Sequence, residues 1–96
     1  KIDLCRERLA QKELWVATYN FTRQNYAAAL PRIDVILKEY PRTLVVPETL
    51  YLLGEILTAQ GKSAEAQRAY RQLAEQYPHT EWGRRASLRL PPSALR

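Results

Sequence analysis

Chemistry has few places to start in this chain. His79 and Cys5 are the single histidine and single cysteine among 96 residues. One of each cannot fill the three or four ligand positions of a zinc site, nor close an internal disulfide. Ser63, Ser87 and Ser93 have His79 alone as a candidate base, and none stands in a nucleophile-elbow context. His79 follows Pro78 in an expected interhelix loop, where an imidazole is solvated. The ten carboxylates are spread along the chain, and no pair stands out as an acid/base couple. No run of glycines makes a phosphate-cradling loop. The reading is a protein with no catalytic residue, no cofactor and no metal, and not an enzyme.

What the side chains can do is recognise. Lys and Arg number 15 against 10 Asp and Glu, a net charge of +5. From Gly61 to Arg96 there are seven basic residues and three acidic ones. A basic domain suggests nucleic acid. The arginines are instead scattered through helical patterns, as on a solvated surface, so no nucleic-acid partner is expected. Steep loss of affinity for DNA or RNA with salt would argue the other way. Trp15, Tyr19, Phe21, Tyr26, Tyr51, Tyr70 and Trp82 are candidates to line a groove for an extended peptide. Large residues at helical spacing mostly fill the space between helices, so most of these belong to the core, with Trp82 covering the end of the array. Tyr19 and Tyr51 are least committed by periodicity and remain the candidate peptide groove.

The elements that must position these residues are helices. Apolar residues recur every three or four positions in four sets: Ala10, Leu14, Ala17, Phe21; Tyr26 to Tyr40; Leu50, Leu53, Gly54, Leu57; and Ala66, Tyr70, Leu73, Tyr77. Each set is one apolar stripe on a helix. Polar Thr22 to Asn25 breaks the first from the second. Pro41 ends the second, and Pro47 suits the first turn of the third. Gly61 offers a left-handed end to the third, and Ser63 a cap for the fourth. Pro78 ends that one, Thr80-Glu81 starts a short fifth helix to about Leu90, and Pro91-Pro92 stops it. Pro31 is the misfit, expected to remove a backbone bond and kink the second helix. No uncharged run approaches the roughly 18 residues of a membrane span.

The helices repeat. Lys38-Glu39-Tyr40-Pro41-Arg42-Thr43 matches Glu75-Gln76-Tyr77-Pro78-His79-Thr80 at an offset of 37, as Ala29 matches Ala66. Leu14, Trp15 and Phe21 match Leu50, Tyr51 and Leu57 at 36, which implies a shorter turn in the first copy. A two-helix period of this length means a helical repeat array. The fold expected is all-α: about five antiparallel helices in tetratricopeptide-like (TPR) hairpins, a piece of an α-solenoid. The first hairpin is placed at 1–40, the second at 47–78, a capping helix at 80–90 and a frayed tail at 91–96. The second copy resembles the TPR pattern closely, through Leu50, Leu53-Gly54, Leu57, Gly61, Ala66, Tyr70 and Pro78. The first is looser, with Ala17-Thr18 at its large-small pair and no turn glycine. Such arrays need about three repeats for stability. With no initiator Met and a helical opening at Lys1-Ile2-Asp3-Leu4, the chain reads as a piece of something longer.

A longer constellation narrows the family. Arg8-Leu9-Ala10, Glu13-Leu14-Trp15-Val16-Ala17, Arg23, Tyr26-Ala27-Ala28, Arg32 and Tyr40-Pro41-Arg42-Thr43 together resemble the C-terminal part of the BamD family. These are TPR lipoproteins of the outer-membrane β-barrel assembly machinery. The resemblance spans roughly residues 2 to 90. It implies a scaffold on the periplasmic face of the bacterial outer membrane, held there by an N-terminal lipid that lies outside this chain. The partners it implies are the periplasmic POTRA domains of BamA, other lipoproteins of the machinery, and unfolded outer-membrane proteins. By position it implies partner contacts at Arg32 and Arg23, with Asp34 and Lys38 in the same gap-free segment. A guanidinium suits such a contact because its planar fork pairs bidentately with a carboxylate. Cys5 lacks the small residues that precede a lipidation cysteine and is expected as a small packing residue. The alternatives are another envelope TPR adaptor, similar to YbgF of the Tol-Pal system, and a generic TPR peptide-binding module.

Overall fold

The computed structural model describes residues 3–90, and the tail at 91–96, with Pro91-Pro92, lies outside the described residues. It contains α1 (Leu4–Thr22), α2 (Tyr26–Glu39), α3 (Val46–Ala59), α4 (Ser63–Gln76) and α5 (Glu81–Arg89), with no strand among the described residues. The fold is all-α and built of TPR-like hairpins. Two compact units divide inside α3, between Thr49 and Leu50.

In the first unit α1 packs against α2 as an antiparallel hairpin. Arg6 Nη1 donates to the Glu39 carbonyl at 3.4 Å, and further along Arg32 meets Glu13. Asp3 caps α1, its carboxylate accepting from the Cys5 and Arg6 amides. Ala10, Leu14 and Ala17 from α1 and Ala29, Ile33 and Ile36 from α2 are buried. These come from the stripes read from spacing, whose Phe21, Tyr26, Leu30, Leu37 and Tyr40 are only partly buried, and the small alanines allow close approach of the helices. α2 continues unbroken through Pro31. Pro31 lies on the exposed side with Ala27, whose carbonyl it deprives of a partner, so water is at hand there.

The second unit joins the rest of α3 to α4 and α5. Leu50, Leu52, Ile56, Ala66, Ala69, Tyr70, Leu73, Ala86 and Leu90 are buried. Gly54 is where α3 takes the Tyr70 ring: a Cβ there would stand 2.6 Å from Cζ and 2.8 Å from Cδ1, closer than atoms can pack.

The two hairpin turns are the same turn. Gln24 donates its amide to Phe21 at 2.9 Å and Asn25 to Asn20 at 2.8 Å; Gly61 donates to Thr58 at 3.0 Å and Lys62 to Leu57 at 2.8 Å. Every pair is 37 apart, which corrects the shorter first turn expected from an offset of 36. Counted back from the matching turns, Leu14 corresponds to Tyr51, not Leu50. The missing turn glycine is met by Gln24 itself, at φ 62 against φ 79 for Gly61. A side chain with a Cβ is strained there. Gln24→Gly should therefore stabilise the chain by about 0.5–1 kcal/mol, read as a higher urea midpoint at unchanged slope; no gain would mean that the Gln24 side chain offsets the strain.

The Tyr-Pro-x-Thr endings also coincide. Tyr40 and Tyr77 each donate the closing amide bond of their helix, to Ile36 and Leu73, at 2.9 Å. Thr43 Oγ1 and Thr80 Oγ1 then bond back to the Tyr40 and Tyr77 carbonyls at 2.8 Å. Thr80 also accepts from the Gly83 amide and caps α5, as expected. Ser63 does not cap α4: the cap position is Lys62, without a side-chain bond, and Ser63 is the first helical residue.

Candidate functional site

The four charged residues placed by resemblance fall on different faces. Arg32 points outward from α2 and is half-exposed, its Nη1 3.0 Å from Glu13 Oε1 of α1. Asp34 and Lys38 pair with each other at 3.2 Å, one helical turn apart and well exposed. At about 100° per residue they lie roughly 200° around α2 from Arg32, on the opposite flank of its buried stripe. Arg23 sits at the end of α1, its guanidinium 5.4 Å from the centre of the Tyr19 ring. Arg32 and the Asp34–Lys38 pair thus do not form one cluster. Glu13, the carboxylate that orients Arg32, was not singled out in the sequence. Its signal is the antiparallel pairing of α1 and α2, which becomes legible once the turn is placed.

Several aromatic expectations need correction. Of the seven aromatic residues weighed for groove or core, Tyr70 alone is fully buried. Trp15 is 65% exposed, stacked on Tyr19 at 5.8 Å between centroids with 15° between ring planes. Core packing is unavailable to it because it lies opposite Ala10, Leu14 and Ala17 on α1. Cys5 is likewise exposed rather than packed, for the same reason of facing. The two groove candidates, Tyr19 and Tyr51, belong to different units. Tyr51 lies 5.7 Å from Tyr70, 5.3 Å from Trp82 and 5.7 Å from the Arg89 guanidinium, in a side-chain cluster that also seats α5.

That cluster has a polar centre. Glu55 Oε1 accepts from Tyr70 Oη at 3.1 Å and meets Arg89 Nη2 at 2.7 Å. Burial foremost, with the Glu55 charge beside it, pushes the Tyr70 hydroxyl up to about 12. The folded chain then holds a proton that the unfolded chain releases near pH 10. This contribution is complete below pH 10 and is lost as pH rises through 12, on the order of 2 kcal/mol. Alkaline titration of phenolate absorbance should show Tyr70 ionising late, and Glu55→Gln should lower its pKa.

At the open end of the first hairpin, Asp3, Arg6, Glu7, Glu39 and Arg42 rim a cleft of ≈ 650 Å³. Glu7 closes one side, both its oxygens accepting from the Leu44 amide at 3.0 and 3.1 Å. Among the described residues no cluster of His, Cys, Asp and Glu is arranged to hold a metal. No helix among them is long and apolar enough to cross a membrane. His79 is exposed in the loop between α4 and α5. The arrangement offers paired charges and stacked rings on helix surfaces, which are groups for recognition.

The model of the YfiO family, described as outer membrane lipoprotein, matches residues 1–72. The chain belongs to this family. The YfiO match takes in both helices of the first hairpin, all of α3 and much of α4. Two curated relatives are outer membrane protein assembly factors BamD. That of Rickettsia prowazekii is 32% identical over 82 residues, 85% of this chain and 33% of the relative. That of Caulobacter vibrioides is 28% identical over 82 residues, 85% of this chain and 27% of the relative. The chain therefore spans about a third of the length of these relatives. No solved structure matches it significantly.

Proposed function

We propose that this chain is the C-terminal repeat region of a BamD-like assembly factor, a non-enzymatic scaffold at the periplasmic face of the outer membrane. It binds the POTRA region of BamA while β-barrel proteins are assembled and inserted. The observation that carries this reading is the YfiO family match over residues 1–72, laid on a helical hairpin that displays Arg32 outward. Glu13 holds the Arg32 fork in place without covering it, so little side-chain freedom is lost when a partner carboxylate arrives. Arg23 is the second proposed contact. Asp34 and Lys38, on the other flank of α2, meet a different part of the partner.

Titration calorimetry against the POTRA domains of BamA from the same organism tests this, at low and raised salt. Saturable binding that weakens with salt is expected. Absence of binding by a chain whose circular dichroism shows folded helices would overturn it.

A further inference from the structure

The outer face of α1 carries a ladder of which the proposed function uses Arg23 alone. Arg8, Lys12, Trp15, Tyr19 and Arg23 follow at spacings of three or four residues, so they line one side of the helix. All five are exposed, and they stand opposite the buried Ala10, Leu14 and Ala17. The rings of Trp15 and Tyr19 are stacked nearly parallel, and the Arg23 guanidinium covers Tyr19. Both acidic side chains of α1 are turned elsewhere, Glu7 to the Leu44 amide and Glu13 to Arg32. Within this unit, no carboxylate among the described residues pairs with Arg8, Lys12 or Arg23.

We propose that this ladder is a docking ridge for an acidic protein segment that also carries an apolar side chain. The apolar side chain lies on the free side of Trp15, and carboxylates meet Arg23 at one end and Lys12 and Arg8 at the other. Three cations with no anion among them supply the charge complementarity. Stacking supplies the anchor: Trp15, Tyr19 and Arg23 hold one another in place, so docking immobilises little that was free. Tryptophan, tyrosine and arginine are also the residues that carry most binding energy at protein interfaces. A membrane surface fits less well, because two rings between cations are a narrow strip and not the broad apolar sector of an interfacial helix. The inference rests on reading the chain as a protein-binding scaffold, not on its partner being BamA.

The test is therefore made with a defined probe, a short acetylated peptide alternating glutamate and phenylalanine, followed by NMR on the indole N–H signals of Trp15 and Trp82. Saturable movement of the Trp15 signal with Trp82 unmoved is expected, weakened by salt. Trp15→Ala and Arg23→Glu should each weaken binding about tenfold with unchanged helicity, the first followed by calorimetry. Four results would overturn the proposal. One is no movement at millimolar peptide in a folded chain. Another is equal movement with glutamine in place of glutamate, which is apolar adhesion alone. A third is movement with phosphatidylglycerol vesicles but not with peptide, which makes the ridge a lipid contact. The last is a Trp15 signal already protected from added quencher in the natural protein, which means that its own chain covers the face. A negative result here leaves the POTRA titration standing, and loss of POTRA binding leaves this ridge testable.

Discussion

Truncating Ile36 or Leu73 to alanine is expected to cost about 2–5 kcal/mol in either case. The two side chains are 0% exposed and hold equivalent places 37 residues apart, each one turn before a Tyr-Pro-x-Thr ending. Their backbone carbonyls accept the last amide bond of the helix, from Tyr40 and Tyr77, at 2.9 Å. The threonine hydroxyl then ties the following turn back to the tyrosine carbonyl. A helix end held at both its last bond and its turn cannot slide inward to fill a cavity. The cost should therefore lie well above the simple transfer of the lost methylenes. Small domains have about 5–15 kcal/mol in all, so either variant removes a large share. Urea unfolding should show a lower midpoint with unchanged slope. Leu44→Ala and Leu88→Ala, at side chains 69% and 86% exposed, serve as controls and should change stability by less than about 0.5 kcal/mol. A loss below about 1 kcal/mol at Ile36 would mean that the hairpin relaxes around the cavity and that its end is not held as described.

Reversing the charge of Arg32 is expected to weaken POTRA binding by about 1–3 kcal/mol, roughly fivefold to 150-fold, with helicity unchanged. The intramolecular loss is small, because a half-exposed pair such as Arg32–Glu13 contributes at most about 1 kcal/mol. The double variant Glu13→Arg with Arg32→Glu separates two roles. It restores a pair across the hairpin but leaves the outward group negative. If Arg32 meets a partner carboxylate, binding stays weak in the double variant. If Arg32 merely braces α1 against α2, binding returns. Unchanged binding in Arg32→Glu would remove the residue from the interface. Asp34→Lys with Lys38→Asp preserves net charge on the far flank of α2, so any loss of binding there reports a separate contact.

The particular successes and failures of the sequence reading share a physical logic. Local backbone chemistry was legible. Proline ends α2 and α4, Gly61 takes the left-handed turn, and Thr80 caps α5. Each of these acts within a few residues of itself, so its cause lies beside it in the chain. The turn at Gln24 was misjudged because a glutamine can be forced to a positive φ by the same hydrogen bonds that Gly61 makes without strain. Ser63 was misplaced by one position for a related reason: good capping chemistry does not secure the cap when the turn ahead of it sets where the helix begins.

Facing was harder. Trp15 and Cys5 belong to α1 as expected, but size or apolarity suggested the interior, and the register of the helix turned both outward. A tryptophan has no preference strong enough to rotate a helix whose opposite side already buries Ala10, Leu14 and Ala17. The candidate site was legible as residue types and positions through resemblance. Its division was not: Arg32 on one flank, Asp34 and Lys38 on the other, and Glu13 beneath Arg32.

By itself, then, the sequence determined that this is an all-helical chain of hairpin repeats with Tyr-Pro-x-Thr ends and the family to which those repeats belong, since periodicity, turn residues and motif order are properties of neighbours along the chain. Only the tertiary structure decided which carboxylate orients Arg32, which aromatics are exposed, and that Tyr70 is held among Gly54, Tyr51 and Glu55. Those outcomes depend on the rotation of each helix about its axis, and that rotation is set by packing summed over the whole apolar stripe rather than by any residue within it.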